Sequence, residues 1–199
     1  MIIDSILAGI AISLGCIVNL SVGGGVIGAT FFSLGLLLVC ARKMALFTGK
    51  VCYAHIHDIP RMLIILLGNV FGAVAISLMI RYARPDLIDV AATISDGKLL
   101  QGHRVLILGA LCNILIYFAV DTFNNGHQHS LVKTFILMLC VAVFILSGYE
   151  HCIANAFYLS LGNELFTQNG ILYLAMNVVG NSIGGVAIHL ISRRSGYGN

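Results

Sequence analysis

The chain has 199 residues, of which 59% are apolar and only 10% charged, and its formal net charge is +3. A soluble domain carries about 25% charged residues, so a water-soluble globule is excluded, and a small, scattered positive charge argues against nucleic acid as a partner. Membrane lipid is the expected surrounding.

The first apolar segment runs from about Ser5 to Leu20 and ends at the turn Ser21-Val22-Gly23-Gly24-Gly25. Asp4 stands where a leader would be basic, and Ala8-Gly9-Ile10-Ala11 runs into further apolar sequence, so no cleavable signal peptide is expected. Segment two spans about Val26 to Val39 and meets Arg42-Lys43; segment three, about Met62 to Ile80, follows Pro60-Arg61. The polar stretch Tyr82 to Arg104 reads as the longest loop. Segment four runs from Val105 to Val120, five from Leu131 to Leu146, and six from Ile171 to Ile191. A spanning helix needs about 20 residues. Segments two and five fall short, and each is interrupted and followed by a further apolar piece, Val51 to Ile56 and Cys152 to Leu161.

An eleven-residue pattern occurs twice, 112 positions apart: Gly68-Asn69-Val70-Phe71-Gly72-Ala73-Val74-Ala75-Ile76-Ser77-Leu78 and Gly180-Asn181-Ser182-Ile183-Gly184-Gly185-Val186-Ala187-Ile188-His189-Leu190. Seven of the eleven positions are identical. Small residues at this spacing let helix backbones approach closely in lipid. A duplicated motif with interrupted helices at matching places points to a transport protein built from two repeats. The expectation is an all-α integral membrane protein with one channel domain, residues 1–199. It has six transmembrane helices as a 3+3 inverted repeat (about 5–81 and 104–192), helices two and five being interrupted. Three spans per half make the second half enter from the opposite side. With both termini cytoplasmic, the inner side carries Lys50, Arg61, Lys133, Arg193 and Arg194, against Arg81, Arg84, Lys98 and Arg104 outside, a slim positive-inside margin.

The interruptions hold the candidate chemistry. The first reads Leu46-Phe47-Thr48-Gly49-Lys50 and the second Gly148-Tyr149-Glu150-His151-Cys152-Ile153-Ala154-Asn155. Non-helical backbone at membrane depth must line a cavity or be buried in protein. An ionisable Glu-His pair there points to function, and Asn113 in segment four is an amide placed to orient one of them. The six cysteines, mostly within apolar runs, read as small buried hydrophobes. His55-Ile56-His57-Asp58 and His127-Gln128-His129 lack third and fourth ligands for a metal. His189, which replaces Ser77 of the other copy, reads as satisfied within the bundle. No metal and no cofactor are expected.

These motifs resemble the formate/nitrite transporter family of pentameric anion channels. Phe32-Ser33-Leu34-Gly35-Leu36 followed by Leu46-Phe47-Thr48 is similar to the family's second helix and central loop. Gly109-Ala110-Leu111-Cys112-Asn113 resembles its fourth-helix motif, and Ser147 to Asn155 its fifth-helix break, the most specific piece. The resemblance implies a homopentamer in the bacterial inner membrane, with one aquaporin-like pore per subunit for a small monovalent anion such as formate, nitrite or hydrosulfide. It implies that Thr48 and His151 face each other midway, supported by Asn113 and Glu150. Phe32 and Phe144 form the outer constriction, Leu36 and Leu46 the inner one, and Lys98 matches a vestibule lysine. Where the family carries an acidic residue before Leu-Phe-Thr, this chain has Arg42-Lys43-Met44-Ala45, cations that either raise the local anion concentration or pair with Glu150. Segment one starts almost at Met1, so the family's amphipathic N-terminal helix is not expected. Two rivals fit less well. An aquaporin-like neutral pore needs paired Asn-Pro-Ala loops, and the prolines here are Pro60 and Pro85. An intramembrane enzyme on Glu150 and His151 finds neither a His-Glu-x-x-His motif nor a nucleophile triad.

Overall fold

The structure is a computed structural model that describes residues 1–195; the last positions of the expected domain, 196–199, lie outside the described residues. The described chain is all-helical: α1 (Ile2–Ser21), α2 (Gly25–Ala41), α3 (Phe47–Val51), α4 (Ile59–Ala83), α5 (Asp86–Leu99), α6 (Val105–Asn125), α7 (Ser130–Leu146), α8 (Cys152–Leu161) and α9 (Gln168–Arg194). Stretches containing α1, α4, α6 and α9 are long and apolar enough to cross a membrane; α2, α7 and α8 are shorter apolar helices. Pro60 sits in the first turn of α4, where its missing N–H costs nothing. Arg193 and Arg194 in the last turn of α9 suit the negative end of its dipole.

The two copies of the repeated motif lie on α4 and α9, which pack against α1 and α6 respectively. Their glycines set how closely the helices approach. A Cβ on Gly72 would overlap the carbonyl oxygen of Ile6, and one on Gly184 that of Ala110. Outward-facing Leu67, Phe71, Ile107 and Ile183 are exposed, as expected of side chains that face lipid. All ten residues of α8 are buried, so it touches protein on every side.

Two expectations are corrected. Tyr82 to Arg104 is not one loop: it contains α5 and a 3₁₀ turn, Gly102–Arg104. Leu87, Ala91 and Ser95 recur at helical spacing, are buried, and α5 packs against α8; Asp86 and Asp89 begin it and Lys98 ends it, as the helix dipole favours. Leu46 to Lys50 is not a non-helical stretch either. Phe47–Val51 is a helical turn, and the apolar piece Val51 to Ile56 breaks up into a turn and the 3₁₀ segment Ile56–Asp58. The non-helical residues precede it, because a buried side chain on α4 caps the new helix at Phe47, as described next.

Candidate functional site

Helices α2 and α7 end in the same way. Lys43 (φ +52°) and Gly148 (φ +67°) take the left-handed conformation just past each end. Lys43 N–H donates to Cys40 O (3.1 Å) and Met44 N–H to Val39 O (2.9 Å); Gly148 N–H donates to Ile145 O (3.0 Å) and Tyr149 N–H to Phe144 O (2.9 Å). This is the Schellman stop, which satisfies orphan carbonyls at a helix end. Leu46 and His151 then follow in extended conformation, immediately before α3 and α8.

The asparagines of the repeated motif hold both restarts. Asn69 Oδ1 accepts from Phe47 N–H (2.7 Å), while its Nδ2 donates to Ala45 O (2.9 Å) and Ser5 O (2.7 Å). Asn181 Oδ1 accepts from Cys152 N–H (2.9 Å), and its Nδ2 donates to Glu150 O (2.9 Å) and Gly109 O (2.7 Å). Each amide thus satisfies an orphan N–H of a buried helix start. The duplicated motif was the available signal for this role, yet read from sequence its asparagines looked like part of a packing stripe.

The two restarts meet. Thr48 Oγ1 lies 3.0 Å from His151 Nε2, with both residues buried. His151 Nδ1 accepts from Ala154 N–H (3.3 Å) and caps α8. With Nδ1 accepting, Nε2 carries the proton and donates to Thr48 Oγ1, which leaves the threonine hydroxyl hydrogen free to point elsewhere. Phe144 stacks on the imidazole (centroids 6.0 Å) and meets Phe32 edge-on (5.9 Å, 89°). Leu36, Leu46 and Phe47 are buried in the same apolar core.

Asn113 and Glu150 support this pair differently from expectation. Asn113 Nδ2 donates to the carbonyl oxygen of Thr48 (3.1 Å) and to Cys52 Sγ (3.6 Å), and bonds neither His151 nor the Glu150 carboxylate. Its Oδ1 is buried without a partner among the described residues. The Glu150 carboxylate accepts from Lys98 Nζ (2.6 Å), Gln101 Nε2 (2.8 Å) and Asn155 Nδ2 (2.9 Å). Lys98 is therefore a largely buried ion-pair partner of Glu150, and Arg42 and Lys43, both exposed, do not reach Glu150. Asn155 Nδ2 also donates to Asn177 Oδ1 (2.6 Å), Asn177 Nδ2 to Glu150 O (2.8 Å), and the Tyr173 hydroxyl to Gln101 Oε1 (3.0 Å). Gln101, Tyr173 and Asn177 escaped the sequence reading. An asparagine four residues before Asn181 in a membrane-length helix was the one signal for Asn177. His189 packs beside Tyr53 and Tyr117, but its Nδ1 has no partner among the described residues, so it is not satisfied within the bundle.

Apolar helices wrapped around a buried polar centre define an integral membrane protein of the transport kind. The model of the formate/nitrite transporter family matches residues 1–192, and the chain belongs to that family. It is 30% identical to the nitrite transporter NirC of Escherichia coli, over 92% of this chain and 78% of that protein. It is 27% identical to the formate channel FocA of Haemophilus influenzae, over 68% of this chain; the match spans about half (53%) of that relative's length. Among solved structures it is similar to a pentameric formate channel with formate bound, at TM-score 0.85 and 26% identity, covering 98% of this chain and 96% of that one. It also shares its fold with an FNT family ion channel, at TM-score 0.87 and 24% identity, over 98% and 89% of the two chains. These relatives are channels and transporters, not enzymes.

Proposed function

We propose that this chain is a channel for small monovalent anions of the formate, nitrite or hydrosulfide class. Its subunit is one domain of six transmembrane helices in a 3+3 inverted repeat, with α2–α3 and α7–α8 as the interrupted helices. Five copies assemble in a bacterial inner membrane, with both termini cytoplasmic. The observation that carries the reading is the 3.0 Å contact between Thr48 and His151, where the start of α8 meets the start of α3. The names of the relatives, a pentameric formate channel among them, support the substrate class and the assembly.

A bare anion does not cross an apolar constriction cheaply, since continuum desolvation costs tens of kcal/mol. In this reading Phe32 and Phe144 close one side of the centre, and Leu36 and Leu46 the other. Between them the anion meets the free Thr48 hydroxyl hydrogen and the partial positive charge of the first turn of α8. It leaves the centre as a neutral acid: His151, neutral at rest with Nε2–H toward Thr48, takes up a proton from the aqueous side as an imidazolium, gives one proton to the anion and returns to its neutral form. Asn113 holds the backbone of Thr48, while Lys98 keeps the charge of Glu150 compensated behind the centre.

The test is flux of formate, nitrite and a strong-acid anion into liposomes, from about pH 5 to about pH 8, where an imidazole titrates. We expect weak-acid anions to pass and His151→Asn to alter the anion order or abolish formate flux with the pentamer intact. A variant whose pH profile and anion order coincide with the parent's removes His151 from proton handling. Native mass spectrometry showing only monomers in mild detergent overturns the pentamer.

A further inference from the structure

A cavity of about 370 Å³ opens at the end of the molecule formed by the α2–α3 connection and the end of α6. Its floor is Leu46 and Gly49, which flank the pore centre at Thr48, and Lys43, Lys50, Tyr53 and Asn124 line its walls. Among the described residues no acidic side chain lines it. Asp121 accepts from two lining residues, the Tyr53 hydroxyl (3.0 Å) and Asn125 Nδ2 (2.8 Å). Among the described residues neither Lys43 nor Lys50 takes part in an ion pair.

The opposite end is different. α4 carries the chain from this mouth across to Arg81, and there each cation is engaged. Arg81 donates to the carbonyls of Ser160 and Leu161, Arg84 to Asp86, Lys98 to Glu150, and Arg104 to Gln101 O. Lys43 also holds a left-handed backbone (φ +52°) that disfavours lysine, where the matching position of the second break is Gly148. A residue held in an unfavourable conformation beside a site is a pointer to function.

We propose that Lys43 and Lys50 form an anion-collecting antechamber at this mouth, which gives the pore one charged entrance and sets the apparent affinity for anions entering there. The inference rests on the anion-channel reading above. Two uncompensated ammonium groups in a concave mouth raise the local concentration of small carboxylates or nitrite, and Leu46 then admits them to the Thr48–His151 centre.

The experiment compares formate and nitrite uptake by right-side-out and inside-out membrane vesicles for the parent, Lys43→Asn, Lys50→Gln and the double variant. Asparagine tolerates positive φ without the charge. The double variant is expected to raise KM roughly tenfold for entry at this mouth. Entry from the other mouth stays within about twofold of the parent. The difference disappears at about 1 M salt, where the Debye length falls to about 3 Å. Lys43→Arg with Lys50→Arg restores the parent KM. With parent flux intact, an unchanged KM and salt dependence in the double variant overturns the antechamber and leaves the channel reading standing. A parent that carries no anion overturns the channel reading. The antechamber is then judged by NMR of isotope-labelled lysine ammonium groups during formate titration: selective shifts at Lys43 and Lys50 sustain it, and none overturns it.

Discussion

The two breaks share a hydrogen-bond plan and differ in nearly every side chain that carries chemistry. Lys43 corresponds to Gly148 at the left-handed stop, Ala45 to Glu150, Leu46 to His151, Thr48 to Ile153, and Asn69 to Asn181. The conserved geometry belongs to the asparagines and to the backbone. The divergence puts an apolar side chain and a hydroxyl on one side, and an imidazole with a buried ion pair on the other. The two breaks thus present different side chains to each other and meet at the Thr48–His151 contact.

The largest expected effect comes from the buried ion pair that only the second break possesses. Glu150 is 3% exposed and Lys98 16%. Lys98→Met leaves a buried carboxylate without its cation and is expected to cost about 3 kcal/mol. Lys98→Met with Glu150→Gln recovers most of that loss in detergent unfolding, which separates pairing from packing. A Lys98→Met single variant as stable as the parent would place the two breaks on equal electrostatic terms.

Next come the shared amides. Asn69→Ala strips partners from Phe47 N–H and Ala45 O at a buried helix start, and is expected to cost about 3 kcal/mol. Asn181→Ala is expected to cost less, about 2 kcal/mol, because Glu150 O keeps Asn177 as a donor. Apparent Tm values in the reverse order would show that the second break depends more on its amide than the hydrogen bonds indicate. Thr48→Val removes the hydroxyl at similar volume; we expect flux to fall roughly tenfold, the equivalent of about 1.4 kcal/mol, and Tm to fall by the equivalent of about 1 kcal/mol, because His151 Nε2–H loses its acceptor.

Smaller effects test the stops. Gly148→Ala forces a side chain into positive φ and should cost about 1 kcal/mol, whereas Lys43→Gly should stabilise by about 0.5 kcal/mol. Smallest is the start of α5, the connector that belongs to neither break. The Arg84 guanidinium, hydrogen-bonded to Asp86, holds that carboxyl below the usual carboxylate range. The pair's contribution is therefore present above the ordinary aspartate pKa and fades as pH falls through the lowered one. Asp86→Asn should narrow the Tm difference between neutral and acid pH slightly, and by nothing at high salt.

The repeated Asn motif, the long apolar helices and the residues of both breaks were legible because lipid forces each onto the sequence as long apolar runs punctuated by polar residues. The connector α5 was not legible. Asp86, Asp89, Asp96 and Lys98 look like a solvated loop, and its buried stripe is only Leu87, Ala91 and Ser95. Nor was the Glu150 network, since Lys98 and Gln101 lie 52 and 49 residues away in sequence and meet it only through tertiary packing. The left-handed lysine at 43 escaped as well, because residue type alone favours glycine there.

The burial of α8 on every side has a consequence for how the protein is made. Ten residues reach about 15 Å, half the hydrocarbon thickness, so α8 cannot settle in a bilayer by itself. Its cap, Asn181, emerges 29 residues after Cys152, just as Asn69 follows Phe47 by 22. Each short helix leaves the ribosome with its first N–H unpaired and is completed by the next long one, so a nascent chain stalled before α9 carries an open helix end.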